Sequence, residues 1–338
     1  MAIMKKMHPV QNTFHIEVKA REYAEYDSVE ALRQLLPLLH GKKWMHVGAG
    51  SNLVFLHDVY DGVVLHSAIR QIEEVRREDR YVWLKVGAGV VWDDLVQQSL
   101  DMRLYGLENL SLIPGEVGAS AVQNVGAYGV EAADCIAEVH TLDAESGELR
   151  IFTAEQCQYA YRSSIFKTTC RGRYIVTHVV YRLCRDFKPN LTYVALSREL
   201  EARGIRPDAV TAKQMRDVIV QVRRAKLPDP ADTGSAGSFF MNPVVTPQAF
   251  AALQQQHPDA PHYEVPQGVK VPAGWLIQQC GWRGRQLGRA GVYSKQALVL
   301  VNMGGADGQD VLRLCQAIQH DVHERFGIDL HPEANLID

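Results

Sequence analysis

Ile113-Pro114-Gly115-Glu116-Val117-Gly118-Ala119, followed by Gln123-Asn124-Val125-Gly126-Ala127-Tyr128-Gly129, is the stretch on which the reading of this chain turns. It concentrates backbone N–H groups with little side-chain bulk, so the chain can approach a pyrophosphate closely and donate several hydrogen bonds to it. By composition alone the same segment reads equally as flexible loop. It lacks apolar periodicity from Asn109 to Glu131, which predicts loops and short turns there.

Upstream, Ser28 to Leu39 reads as a helix capped by Ser28, with Leu32, Leu35, Leu36 and Leu39 on one face. A short strand at Trp44 to Val47 runs into Gly48-Ala49-Gly50-Ser51-Asn52. That tripeptide invites a dinucleotide fingerprint, but position 53 is Leu where a third glycine should open a helix, and strand formers follow. An ordinary tight turn fits it as well. Gly62 to Leu65 and Tyr81 to Val86 read as strands, and a helix carries Leu95, Val96 and Leu100.

Downstream, Ile136–Leu142 and Leu149–Phe152 predict a hairpin, and Tyr174–Leu183 another strand. Thr153 to Gln156 and Thr211 to Gln214 match capping boxes, each predicting a helix start. The second helix carries Met215, Val218, Ile219 and Val222 on one face and ends at Lys226-Leu227-Pro228. Thr246-Pro247 opens another helix, and a last one is expected from Asp310 to Gly327. Strands and helices mix without a repeat.

At 338 residues the chain exceeds the ~250–300 at which single cores stop growing, so two or three lobes are expected. A net charge of −3 supplies no general attraction to nucleic acid or anionic membranes, so any phosphate binding must be local. No apolar run nears the roughly 18 residues of a membrane span. Lys5 and Lys6 are followed by His8, Gln11 and Asn12, not by an apolar run, which argues against a secretory signal. The six cysteines are scattered without a Cys-x-x-Cys pair, as expected of reduced thiols in a cytoplasmic protein without a metal knuckle.

Gly50-Ser51-Asn52, Ile113 to Gly129, Tyr161-Arg162-Ser163-Ser164-Ile165-Phe166-Lys167, Gly237-Ser238-Phe239-Phe240 with Asn242-Pro243, Ala273-Gly274-Trp275-Leu276-Ile277 and Pro332-Glu333 keep the order of motifs in UDP-N-acetylenolpyruvoylglucosamine reductases. The chain resembles that family from about Asn12 to its end. Asn190-Leu191-Thr192-Tyr193 and Lys226-Leu227-Pro228-Asp229-Pro230 resemble its type I subtype, which carries a tyrosine loop over the substrate.

The resemblance implies an α+β protein. Two N-terminal α/β lobes, residues 1–67 and 68–222, would form an FAD-binding fold of the vanillyl-alcohol-oxidase/PCMH type. A C-terminal α+β lobe, residues 223–338, would bind the UDP-sugar. It implies non-covalent FAD held by Gly48, Gly50, Ser51, Asn52, Pro114, Gly115, Gly118, Ala119, Gln123, Asn124, Gly126, Ala127, Tyr128 and Gly129. NADPH would be the hydride donor and UDP-N-acetylglucosamine enolpyruvate the acceptor, touched by Tyr193, Lys226, Asn242 and Gln296. A monomer is expected, without metal, nucleic acid or membrane partners.

The implied reaction needs three things: a hydride at the enolpyruvyl β-carbon, a place for the charge pushed into the carboxylate, and a proton at the α-carbon. By resemblance Arg162 and Glu333 stabilise the charge and Ser238 donates the proton. An always-ionised guanidinium matches a carboxylate in fork geometry. A serine is a weak acid, coherent only with a strongly basic enediolate-like centre. By residue type alone Arg162 reads as a surface arginine, Ser238 as a turn residue, Glu333 as a solvated charge, and Lys226 as a complement to the helix dipole. Two rivals remain: a flavin oxidase on the same fold and a non-catalytic UDP-sugar-binding protein. Where the family commonly has proline, lysine and an acidic residue, this chain has Ala121, Met241 and Gln278.

Overall fold

The computed structural model describes residues 2–338, which divide into two units. The first comprises the described part of Met1–His8 with Ala20–Ala49 and Asp61–Ala225; the second comprises Pro9–Lys19, Gly50–Tyr60 and Lys226–Asp338.

In the first unit a four-stranded sheet runs in the order Ala2–Pro9, Lys19–Tyr26, Val59–Ser67, Trp44–His46, the last two strands parallel. The helix Val29–Leu35 and the 3-10 turn Leu36–Leu38 carry the leucines Leu32, Leu35 and Leu36 into a core with Tyr26, Val63 and Leu65. Ser28 caps this helix as expected, accepting the Ala31 N–H at 3.2 Å.

A five-stranded antiparallel sheet follows, in the order Leu149–Thr153, Ile136–Asp143, Tyr174–Cys184, Tyr81–Gly87, Ile72–Arg77. The alternation of Tyr81–Gly87 puts Val82, Leu84 and Val86 inside, where they meet Trp92, Leu95 and Val96 of the helix Trp92–Asp101. A third cluster joins Leu196 and Leu200 of the helix Val194–Ala202 to Met215, Val218, Ile219 and Val222 of the helix Ala212–Lys226.

Three expectations need correction. Residues 109–131 are not only loops: Val117–Gln123 is a helix, and Gly126–Ala127 pairs with Val130–Glu131. Tertiary burial drives this, because Val117 and Ala121 are fully buried against the sheet core. The reciprocal box at Thr153 and Gln156 does form (3.0 and 3.4 Å), yet it closes only a turn. The last helix begins at Gly308, two residues early, because Asp307 is its cap and Asp310 completes the box.

The second unit has an antiparallel sheet in the order Ser235–Ser238, Val299–Asn302, Ala290–Val292, Gln286–Leu287. A three-stranded sheet joins Val244–Val245, Gly268–Lys270 and Tyr263–Val265. Leu53–Phe55 pairs in parallel with Asn335–Ile337. One core gathers Phe14, Phe239, Phe240, Leu276, Ile277, Leu300, Leu314 and Ile318, the last two from the helix Gly308–Phe326. Among the described residues no helix is long and apolar enough to cross a membrane, and no group of three or more His, Cys, Asp or Glu is placed to hold a metal.

Candidate active site

The glycine-rich segment of the first unit is built by close packing. The Val117 and Gly118 N–H groups go to the Val90 and Ala88 carbonyls at 2.9 Å each, which seats the helix start against the sheet. A Cβ on Gly118 would lie 2.9 Å from the Ala88 Cβ. Asn124 is fully buried and its carboxamide is committed within the protein. Its Nδ2 donates to Glu131 Oε2 and the Ala160 carbonyl (2.8 and 3.0 Å), and its Oδ1 accepts the Ala133 N–H. Gln123 differs: its Nε2 is buried with no hydrogen-bond partner. Ala121, where the family has proline, sits inside the helix and keeps the N–H that a proline would remove.

This segment meets Arg162. The guanidinium donates through Nη2 to the Gly126 carbonyl at 2.8 Å and through Nη1 to the Asn124 carbonyl at 3.4 Å. Its backbone is left-handed, φ 55°, a costly conformation for a residue with a Cβ. A Cβ on Gly126 would approach Nη1 to 2.9 Å, so the glycine is what admits the arginine.

Glu116 joins the segment to the Gly48 turn, since a Cβ on Gly48 would stand 3.0 Å from Glu116 Oε2. The carboxylate meets His66 Nε2 at 3.0 Å, and Glu25 meets the other ring nitrogen at 3.2 Å. Burial pulls the His66 pKa down, but the two carboxylates outweigh it and the net shift is upward. Burial drives the neighbouring His46 down to about 3, with help from His66. Tyr26 makes a 2.8 Å hydrogen bond to its Nε2.

Two arginines absent from the sequence expectations serve the same region. Arg216 and Arg223 are seven residues apart, on one stripe of the helix Ala212–Lys226. Arg216 forks onto Asp93 at 2.7 and 2.9 Å, and Arg223 Nε donates to the Leu112 carbonyl at 3.2 Å. Burial lowers the Arg223 pKa, partly offset by Tyr128 and Asp93. The helical spacing of two arginines along an apolar stripe was the available signal. The Glu25–His66–Glu116 cluster was also missed; a lone carboxylate among glycines was its signal.

The second unit aims Ser238. Ser235 and Ser238 pair with Val301 and Val299 across a register shift, with Gly237 left-handed at φ 67° between them. A bulge of this kind turns the side chain that follows it, and Ser238 is exposed while Phe239 and Phe240 are buried. Glu333 is held next to it in the backbone: its N–H donates to the Phe239 carbonyl at 2.8 Å, and Phe240 bridges Pro332. The Glu333 carbonyl accepts the Asn52 amide at 3.1 Å, and the Asn52 carbonyl accepts the Asn335 N–H at 2.9 Å. Asn52 thus pins the strand that carries Glu333. Gly50 lies beside Gln11 and Asn12, whose atoms a Cβ would meet at 2.4–3.1 Å.

Asn242 and Gln296 converge on the helix Ala273–Gln279: Asn242 Oδ1 accepts the Ala273 N–H at 2.9 Å, and Gln296 Oε1 lies 3.1 Å from where a Gly274 Cβ would be. Gln278 accepts from Arg283 at 3.2 Å, a bond that a neutral amide serves. Lys226 is exposed at the end of its helix, and Met241 donates its N–H to His331. A cleft of about 1090 Å³ in this unit runs along His15, Asp232 and Met303. None of Ser238, Asn242, Gln296 and Glu333 lines it.

Comparison with known proteins supplies the frame. Residues 21–153 match the family described as FAD binding domain, and residues 229–337 the family described as UDP-N-acetylenolpyruvoylglucosamine reductase, C-terminal domain. The reductase of Bacteroides fragilis is 49% identical over 330 residues, 96% of this chain and 97% of the relative. That of Porphyromonas gingivalis is 45% identical, covering 97% and 96%. That of Burkholderia pseudomallei is 46% identical, covering 95% and 93%. The crystal structure of the Thermus caldophilus enzyme has the same fold, with a TM-score of 0.69 at 23% identity over 99% of this chain and all of that one.

Proposed function

This chain belongs to the UDP-N-acetylenolpyruvoylglucosamine reductase (MurB) family, flavoenzymes of peptidoglycan precursor synthesis, and from that premise we propose how its residues divide the work. It is a UDP-N-acetylmuramate dehydrogenase, made of an FAD-binding domain of the PCMH type and the family's C-terminal domain.

The first unit suits a bound FAD. The buried, partnerless Gln123 amide asks for an acceptor, and the glycines at 118, 126 and 129 leave no space for a Cβ, so bare backbone forms the surface. Gly48, Gly50, Ser51, Asn52, Pro114, Gly115, Gly118, Ala119, Gln123, Asn124, Gly126, Ala127, Tyr128 and Gly129 are the residues we assign to it, non-covalently. Within that set Gly118, in the helix Val117–Gln123, and Asn124, at its end, serve by shaping the segment, because the N–H of one and the carboxamide of the other are already used. Bound FAD, reduced by NADPH, supplies the hydride that reaches the enolpyruvyl β-carbon.

Ser238 then gives its hydroxyl proton to the α-carbon. Arg162, fixed by two carbonyls before any substrate arrives, holds the negative charge on the carboxylate; such preorganised donors are worth about 3–4 kcal/mol each. Glu333 acts at the same centre. Tyr193, Lys226, Asn242 and Gln296 bind the UDP moiety, and the Asn190–Tyr193 loop makes this a tyrosine-loop (type I) enzyme. We assign it to the cytoplasm as a monomer. The observation that carries the reading is the left-handed Gly237 bulge that turns Ser238 outward next to the Glu333 backbone.

The test is the visible spectrum under anaerobic conditions. Flavin bands should bleach on NADPH and return on UDP-N-acetylglucosamine enolpyruvate. Bands that stay bleached until air is admitted would point to an oxidase, and a protein that takes up no FAD would end the proposal.

A further inference from the structure

Asn109 has no part in the chemistry above, yet it is 3% exposed and spends its amide on two distant segments. Its Nδ2 donates both hydrogens, one to the Tyr128 carbonyl at 2.9 Å and one to the Asn190 carbonyl at 3.0 Å. The turn that carries it, Glu108–Leu110, is itself fixed: the Glu108 carboxylate accepts the Gly106 N–H (2.9 and 3.1 Å), and Ser111 Oγ donates to the Glu108 carbonyl at 2.6 Å. A rigid post therefore holds two strands of chain that have no sequence reason to meet.

Both routes from Asn109 end on one ring. On the first, Asn190 Oδ1 accepts the Thr192 N–H and hydroxyl at 3.1 and 2.7 Å, a small closed turn whose position follows the Asn190 carbonyl. On the second, Tyr128 meets Tyr193 edge-on, with centroids 5.5 Å apart at 84°. Thr192 also fits against Gly129, where a Cβ would lie 2.3 Å from its Oγ1 and where φ is +80°. Beyond that turn Tyr193 (41%) and Val194 (60%) are exposed, where the helix Val194–Ala202 begins and the Leu196 N–H donates to the Tyr193 carbonyl at 2.8 Å.

We propose that Asn109 is a positioning residue for substrate: by tying the Asn190–Tyr193 turn to the Tyr128–Gly129 turn, it holds the Tyr193 ring ready to bind. This rests on the reading that Tyr193 contacts the substrate. A buried asparagine that only satisfied two carbonyls would affect stability and leave KM alone.

Asn109→Asp keeps the shape, removes both donors and turns an oxygen toward two carbonyl oxygens. Two lost hydrogen bonds of ordinary net worth should raise the KM for UDP-N-acetylglucosamine enolpyruvate roughly 10- to 100-fold. The kcat should stay within about threefold and the flavin content should not change. Steady-state kinetics of N109D, Y193A and the double variant decide the matter. If the double variant has the KM of Y193A alone, Asn109 acts through Tyr193. Full additivity, or an unchanged KM in N109D beside a raised one in Y193A, overturns the positioning role and leaves the reading of Tyr193 intact. An unchanged KM in Y193A overturns that reading, and this inference with it. If N109D does not accumulate folded, Gly129→Ala attacks the same junction from the other side. Its KM should rise, and adding Thr192→Ala should bring it back toward the parent value; no relief counts against the proposal.

Discussion

Two glycine-bearing segments, one in each unit, use the same residue for different reasons. In Ile113–Gly129 the need is first for room: at Gly118 and Gly126 a Cβ would strike Ala88 or Arg162 at 2.9 Å, and at Gly129, which is left-handed as well, it would strike Thr192 at 2.3 Å. At Gly237 a Cβ would meet nothing within 4 Å, and the need is for handedness, φ 67°. One segment becomes a rigid, backbone-lined surface whose groups are mostly committed. The other stays open and turns a single hydroxyl. The proposed flavin-binding surface gains from having nothing left to move, whereas the proposed proton donor must be presented.

The largest expected effect tests the presented hydroxyl. Ser238→Ala should slow flavin reoxidation by the enolpyruvyl substrate about 10²- to 10⁴-fold and leave reduction by NADPH near the parent rate, as followed by anaerobic stopped flow. A matching loss in both half-reactions would move Ser238 from proton donor to structural residue.

Next comes the contrast between room and handedness. Gly118→Val should destabilise by about 2–3 kcal/mol through overpacking and weaken flavin retention. Gly237→Ala should cost only about 1 kcal/mol, for the left-handed backbone, and keep flavin while slowing reoxidation. Denaturation midpoints and the absorbance ratio of flavin to protein would tell them apart. Equal behaviour of the two variants would dissolve the distinction.

The smallest effect concerns the charge beneath the first segment. His66 is held above its unfolded pKa by Glu116 and Glu25, so it binds its proton more tightly when folded. The stability it adds is complete below about pH 6.5 and is lost as pH rises through the higher folded value. The parent melting temperature should therefore decline from pH 6 to pH 8 more steeply than that of His66→Gln. Parallel pH profiles would show that folding leaves the His66 pKa where it stands in the unfolded chain.

Much of the scaffold was legible because its signals are local. Ser28, the Thr211–Gln214 box, the leucines of the first helix and the apolar stripe at Met215, Val218, Ile219 and Val222 each act within a few residues of themselves. The helix Val117–Gln123 was not legible, since burial of Val117 and Ala121 against distant strands decides it. The Thr153 box shows the converse, a correct cap without enough helix behind it. Around the candidate site the sequence offered motif residues only, through the family resemblance. What supports them could not be named in advance: Asn109, the Glu25–His66–Glu116 cluster and the Asn52 link to Glu333 join residues that only the folded chain brings together.

That last link sets a schedule for synthesis. The backbone that Asn52 must hold, at Glu333, is made 281 residues after it. At about 5–20 residues per second the wait is on the order of 15–60 s. Throughout it Leu53–Phe55 lacks the parallel strand Asn335–Ile337 that it finally adopts. Through that interval the nascent chain carries an unfinished strand edge, so engagement by chaperones, or a stall before Glu333 is made, bears directly on yield.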